Sequence, residues 1–214
     1  MNEPSGRRPL NSRSWKWVRN LASVLATAGV SPNAVSMAGL VCGVLAGVCL
    51  AVTSVLPADS TRMFFIGAAV LIQLRLLANL IDGLVAVEGG RKSPVGGIYN
   101  ELPDRITDAA IFIGAGYAAC SVPVLGWLAA LLAVIVAYLR ALGVTLGTGE
   151  AFIGVMAKPQ RMFLMTVACV GSAVVKPSVF PVMAVVLGVI GLGCVITFFQ
   201  RLLWISKKLK WANA

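Results

Sequence analysis

The chain has 214 residues, 58% of them hydrophobic and 12% charged, with a mean hydropathy of +0.89, which excludes an ordinary soluble globular domain. Its 18 basic and 8 acidic residues leave a net charge of +10, but the basic residues flank long apolar runs instead of covering one soluble face, so no nucleic acid is implied as a partner. With no histidine, a Ser-His-Asp triad, a histidine base and histidine-ligated metal sites are excluded, and the five cysteines lack the CxxC spacing of a zinc site. Any chemistry rests on carboxylates, amides and basic groups.

In chain order, the first feature lies in residues 12–28. Trp15, Val18, Leu21, Ala22 and Leu25 recur at helical spacing while Arg13, Lys16 and Arg19 point elsewhere, which predicts an amphipathic helix at headgroup level. The alternative is a disordered basic tail. The first long apolar run starts only after Val30-Ser31-Pro32-Asn33, too late for a cleaved signal peptide, so this segment is expected to be retained. A helix crosses the hydrocarbon core with about 20 apolar residues. Six stretches approach that length, at roughly 36–57, 62–82, 102–121, 124–146, 161–177 and 180–203. They predict an all-α integral membrane bundle of six transmembrane helices, one domain over 31–214, preceded by a basic N-terminal segment over 1–30. Six crossings put both termini on one side. Arg7 to Arg19, Arg91, Lys92, Lys158, Arg161, Arg201, Lys207, Lys208 and Lys210 fall on that side, against Arg62 and Lys176 opposite, so both termini are expected to be cytoplasmic.

Ionisable groups inside apolar spans are costly, which makes each a functional candidate. They concentrate in two places. The second span ends Arg75-Leu76-Leu77-Ala78-Asn79-Leu80-Ile81-Asp82-Gly83, where Arg75, Asn79 and Asp82 share one helix face. The third opens with Gly96 and carries Asn100, Asp104 and Asp108 at steps of four, again on one face. Between them, Gly89-Gly90 and Pro94 favour a turn, so the two faces are expected to oppose each other. Converging carboxylate and amide oxygens suit Mg²⁺ or Mn²⁺, which share their ligands with a substrate phosphate. The structural alternative is that Asp82, Asp104 and Asp108 only pair with Arg75 and Arg105.

These residues resemble the signature of the CDP-alcohol phosphatidyltransferases, Asp-x2-Asp-Gly-x2-Ala-Arg, about eight residues, then Gly-x3-Asp-x3-Asp. This chain reads Asn79-x2-Asp82-Gly83-x2-Ala86-Val87, eight residues from Glu88 to Val95, then Gly96-x3-Asn100-x3-Asp104. Asp104-Arg105-Ile106-Thr107-Asp108 is similar to the third span of phosphatidylinositol-phosphate-type members, and Val30-Ser31-Pro32-Asn33 resembles the segment before the family's first span. The resemblance covers nearly the whole chain. It implies transfer of a substituted phosphate from a CDP-linked lipid, such as CDP-diacylglycerol, to an alcohol, with release of CMP. It also implies phospholipid biosynthesis in the inner membrane and a homodimer. Carried over residue by residue, it makes Asp82, Asn79, Asn100, Asp104 and Asp108 the metal-ligand candidates and Asp104 the general base. Gly83, Ala86 and Gly96 then border the nucleotide.

Asn79, Asn100 and Val87 depart from the family's Asp, Asp and Arg, so two full negative charges are missing from a site that normally offsets two divalent ions. Compensation by Asp108, Glu101 or Glu88, a single ion, and loss of catalysis all stay open, and Arg91 or Lys92 is available to replace the lost arginine. Asn100 is also suited to capping the third helix. By the same resemblance Arg140, Lys158 and Arg161 hold a phosphate on the acceptor, the alternative being ordinary positive-inside bias. A catalytically impaired relative that binds a nucleotide-lipid or a partner protein is the second reading. A transporter is the third, although its charges should follow the membrane depth whereas these gather near one boundary.

Overall fold

A computed structural model describes residues 15–88, 96–175 and 177–212. Among them the chain is all helical, with α1 (Lys16–Thr27), α2 (Pro32–Val52), α3 (Ala58–Glu88), α4 (Gly96–Gly116), α5 (Pro123–Thr145), α6 (Lys158–Val174) and α7 (Val182–Ala212). α2, α3, α5 and α7 are each long and apolar enough to cross a membrane. Large apolar side chains cover the outside, Val48, Met63, Leu131, Phe163, Leu192 and Leu203 among them, as expected of a membrane protein whose solvent on those faces is lipid.

Helices form at all the predicted stretches, with shifted ends, and four of the six predicted spans are long and apolar enough to cross a membrane. Five of the six start earlier than the apolar runs suggest, because polar starting residues belong to the helix. Ser31 accepts a hydrogen bond from the Ala34 N–H and caps α2, with Pro32 at its first position. Proline also occupies the first turn of α5 and α6. α4 begins at Gly96, so Asn100 lies inside its first turns and does not cap it, contrary to that alternative. α1 is the amphipathic helix expected near the N-terminus, and past its C-cap Ala28 the chain turns away at Gly29, φ +80°. Val18 and Ala22 are buried against Ile81 and Val85 of α3, while Trp15 and Trp17 stay exposed.

Two features set the position of the polar residues. α3 has 31 residues, roughly 46 Å at 1.5 Å per residue, against a hydrocarbon core of about 30 Å. Asp82, one turn and a half from its end, therefore belongs near a boundary. α2 presents Gly39, Gly43 and Gly47 on one face: a Cβ at Gly43 would collide with Thr107 and one at Gly47 with the Ala110 backbone, while one at Gly39 would press on Ala78. α4 thus lies directly on α2, which seats Thr107 beneath α3. α5 packs on α4 and α7, and α6 on α3 and α7, to close the bundle. At the far end of α7, Lys207 and Lys208 lie over Trp211 and Trp204, a pairing suited to a membrane interface.

Candidate functional site

The faces predicted for the second and third spans do meet. Arg75, 1% exposed, is the hub between α3 and α4. Its Nη2 donates to Asp108 Oδ1 at 2.7 Å and to Asp104 Oδ1 at 3.2 Å, and Nη2 and Nε both donate to Thr107 Oγ1, at 2.7 and 3.0 Å. One turn further along α3, Asn79 donates its amide N–H to Asp104 Oδ1 at 2.6 Å. The step of four from Arg75 to Asn79 brings both onto the same carboxylate.

Asp108 is enclosed. Its second oxygen accepts from Arg161 Nη2 of α6 at 2.9 Å, so two guanidinium groups hold the two oxygens of one buried carboxylate. Arg161 Nη1 is in turn tied to the Met156 carbonyl at 3.1 Å. Asp104 keeps its second oxygen toward α6, where Lys158 Nζ forms an ion pair with it. Asp82 differs from both: its Oδ2 accepts from the Ser36 hydroxyl of α2 at 2.7 Å, and among the described residues it joins no ion pair. The purely structural alternative therefore holds for Asp108 and in part for Asp104. It does not hold for Asp82, and Arg105 pairs with Glu101, not with an aspartate.

Asp82, Asn79, Gly83 and Asp104 line a cavity of about 870 Å³, together with Lys158 and Arg161 of α6 and Arg140 of α5. Ala86 and Gly96 are not among its lining residues, and neither is Asp108. The side chains of Asn100, Val87 and Glu88, and residues Arg91 and Lys92, lie outside the described residues. The cavity has two characters. Its polar end carries these charges, while Val70, Leu74 and Phe163, all facing the apolar exterior, line the part between α3 and α6, where Gln73 donates to Thr166 at 2.8 Å.

Arg140 is held at 2.5 Å by Glu101 and at 2.9 Å by Glu150, so its cationic head bridges the start of α4 and the connection after α5. Four contributors to the site carry little signal in the sequence. Ser36, Thr107 and Glu150 carry no marker beyond ordinary helix and loop polarity. Arg201 lines the cavity and donates to the Ile153 and Val136 carbonyls at 3.0 and 2.6 Å; its place at the end of an apolar run reads equally as positive-inside bias.

Oxygen is the only donor type Asp82, Asp104 and the Asn79 carbonyl offer a metal, which suits Mg²⁺ or Mn²⁺ and no thiophilic ion. Among the described residues no three acidic or thiol side chains group so as to hold an ion unaided. The set fits an ion that takes one or two carboxylates and fills its shell with water and substrate phosphate.

No family model matches the chain. It is similar to phosphatidylinositol phosphate synthase of Streptomyces avermitilis, 27% identical over 205 residues that cover 90% of this chain and 79% of that protein. It is also similar to archaetidylinositol phosphate synthase of Methanothermobacter thermautotrophicus, 26% identical over 132 residues covering 62% of this chain and 66% of that protein. Two crystal structures of Mycobacterium tuberculosis phosphatidylinositol phosphate synthase superpose with a TM-score of 0.71 at 20% identity. One, in complex with manganese and citrate, is matched over 88% of each chain. The other, with CDP-DAG bound, is matched over 89% of this chain and 94% of its own. The chain shares their fold.

Proposed function

We propose that this chain is a CDP-alcohol phosphatidyltransferase that moves a substituted phosphate group from a CDP-linked lipid to an alcohol and releases CMP, in phospholipid biosynthesis. The observation that carries this reading is the two-character cavity. A nucleotide-linked lipid needs a polar, cation-binding end for its diphosphate and an apolar opening for its chains, and the cavity between α3 and α6 offers both. The relatives, synthases of phosphatidylinositol phosphate and archaetidylinositol phosphate, and the CDP-DAG held by a protein of the same fold support the same substrate class.

In this reading Asp82 and the Asn79 carbonyl hold Mg²⁺ or Mn²⁺, while Asp108 is a fastening between Arg75 and Arg161. The manganese of the similarly folded synthase supports the choice of ion. When bound, the ion offsets the diphosphate charge and stabilises the negative charge that develops as CMP leaves. The chain's own groups do the rest. Asp104 takes the proton of the acceptor hydroxyl as its oxygen bonds to the lipid-side phosphorus and the bond from that phosphorus to the CMP oxygen breaks. Gly83 leaves room for the nucleotide against α3, and Arg140 and Arg161 draw an anionic acceptor toward the phosphorus.

α4 and α6 complete six spans in one membrane domain over 31–214. Ahead of it, α1 lies at the interface, both termini face the cytoplasm, and the protein sits as a homodimer in the inner membrane. The support is the fold, the excess of Lys and Arg on one side, and the 17 residues of α6, roughly 26 Å of helix.

The test is CMP release by purified protein from CDP-diacylglycerol with a panel of alcohols, inositol phosphate included. Turnover that needs Mg²⁺ or Mn²⁺ and stops with a chelator is expected. Inactivity of folded, metal-supplied protein across the panel favours a non-catalytic nucleotide-lipid binder.

A further inference from the structure

We infer that the polar end of the cavity takes a single divalent cation, at Asp82, and that the Lys158 ammonium is the resident cation facing Asp104 where a second ion would otherwise sit. This inference rests on the metal-dependent reading above and goes beyond it by fixing the number of ions and giving Lys158 a role apart from acceptor binding.

The two cavity carboxylates are not equivalent. Every contact of Asp104 with α3 and α6 is a donor: Arg75 and Asn79 on Oδ1 and Lys158 on Oδ2. An oxygen surrounded by N–H groups, two of them cationic, repels a metal ion. Asn79 turns its amide nitrogen to Asp104, which identifies its carbonyl as the atom left to face away from that carboxylate. Asp82 receives a neutral hydroxyl from Ser36 and keeps its negative charge unspent. Charge balance points the same way. Asp82, Asp104 and Asp108 carry three negative charges against the three positive charges of Arg75, Lys158 and Arg161, so the cluster is neutral before a metal enters. One divalent ion leaves two positive charges, which match the two negative charges of a diphosphate diester, and a second ion would leave four. Lys158 is placed for this role by the chain itself: it is the first residue of α6, followed by Pro159, and its side chain is only partly exposed.

The experiment is Mn²⁺ binding to purified full-length protein in detergent, with free Mn²⁺ read by electron paramagnetic resonance and folding checked by thermal melting. The wild type is expected to bind one Mn²⁺ per chain, and Asp82→Ala to weaken that binding by tenfold or more. Lys158→Arg keeps one ion. Lys158→Met tightens Mn²⁺ binding by about tenfold, because even water-like screening leaves a unit charge near a divalent ion worth that much. Lys158→Met combined with Asn79→Asp, which restores a carboxylate and removes the ammonium, is expected to bind two. Two ions in the wild type, or one in the folded double variant, overturns the inference and leaves the metal-dependent reading standing. No binding in the wild type, or binding unaffected by Asp82→Ala, overturns both.

Discussion

Asp108 and Asp82 are both buried carboxylates near the same end of the bundle, yet their surroundings are opposite. Asp108 has an arginine on each oxygen and no access to the cavity, whereas Asp82 has one serine hydroxyl and lines it. A carboxylate neutralised by two guanidinium groups fastens helices together, here α3, α4 and α6. A carboxylate whose charge is left over has capacity for a ligand. The difference separates structural from chemical acidity in a site where composition treats all aspartates alike, and Asp104, shared between Arg75, Asn79 and Lys158, stands between the two.

Substitution can sharpen or break that contrast. The largest stability effect is expected at Asp108, where Asp108→Ala leaves Arg75 and Arg161 buried without their partner and costs about 3–5 kcal/mol, read as loss of the thermal transition or of detergent-stable protein. Asp82→Ala is expected to leave the melting temperature nearly unchanged and to remove metal-dependent turnover; the reverse ranking of the two variants breaks the comparison. At Asp104, Asp104→Asn keeps the fold and lowers CMP release by about 10²–10⁴, the contribution of a positioned base. Arg140→Ala is smaller, changing stability by at most about 1 kcal/mol because its pairs with Glu101 and Glu150 are partly exposed. Its effect is expected in the KM for an anionic acceptor, with kcat held, as steady-state kinetics can separate. Arg105→Ala, which removes only an exposed helical pair with Glu101, is the smallest, about 0.3–0.5 kcal/mol in the same melt.

Much of this was legible in the residue pattern. The steps of four and three that join Arg75, Asn79 and Asp82, and those that join Asp104 and Asp108, are helix geometry, so their convergence follows from two helices that meet. The apolar runs give the helices but misplace their starts, because Pro32, Ala58, Gly96 and Lys158 are helical without being part of an apolar stretch. What periodicity cannot supply is pairing across distant segments. Nothing near Arg161 says that it reaches Asp108, 53 residues away, or that Lys158 meets Asp104. Ser36 is likewise an ordinary α2 residue until the glycine face of that helix draws α3 and α4 close enough to make it the partner of Asp82.

The most direct measurement is a structure of the protein with Mn²⁺ and a CDP-linked lipid, with the anomalous signal of manganese used to locate the ion. The ion is expected between an Asp82 oxygen and a phosphate oxygen of the diphosphate, with the lipid chains leaving between α3 and α6. A diphosphate seated elsewhere, or seated in the cavity with no metal against Asp82, contradicts the account.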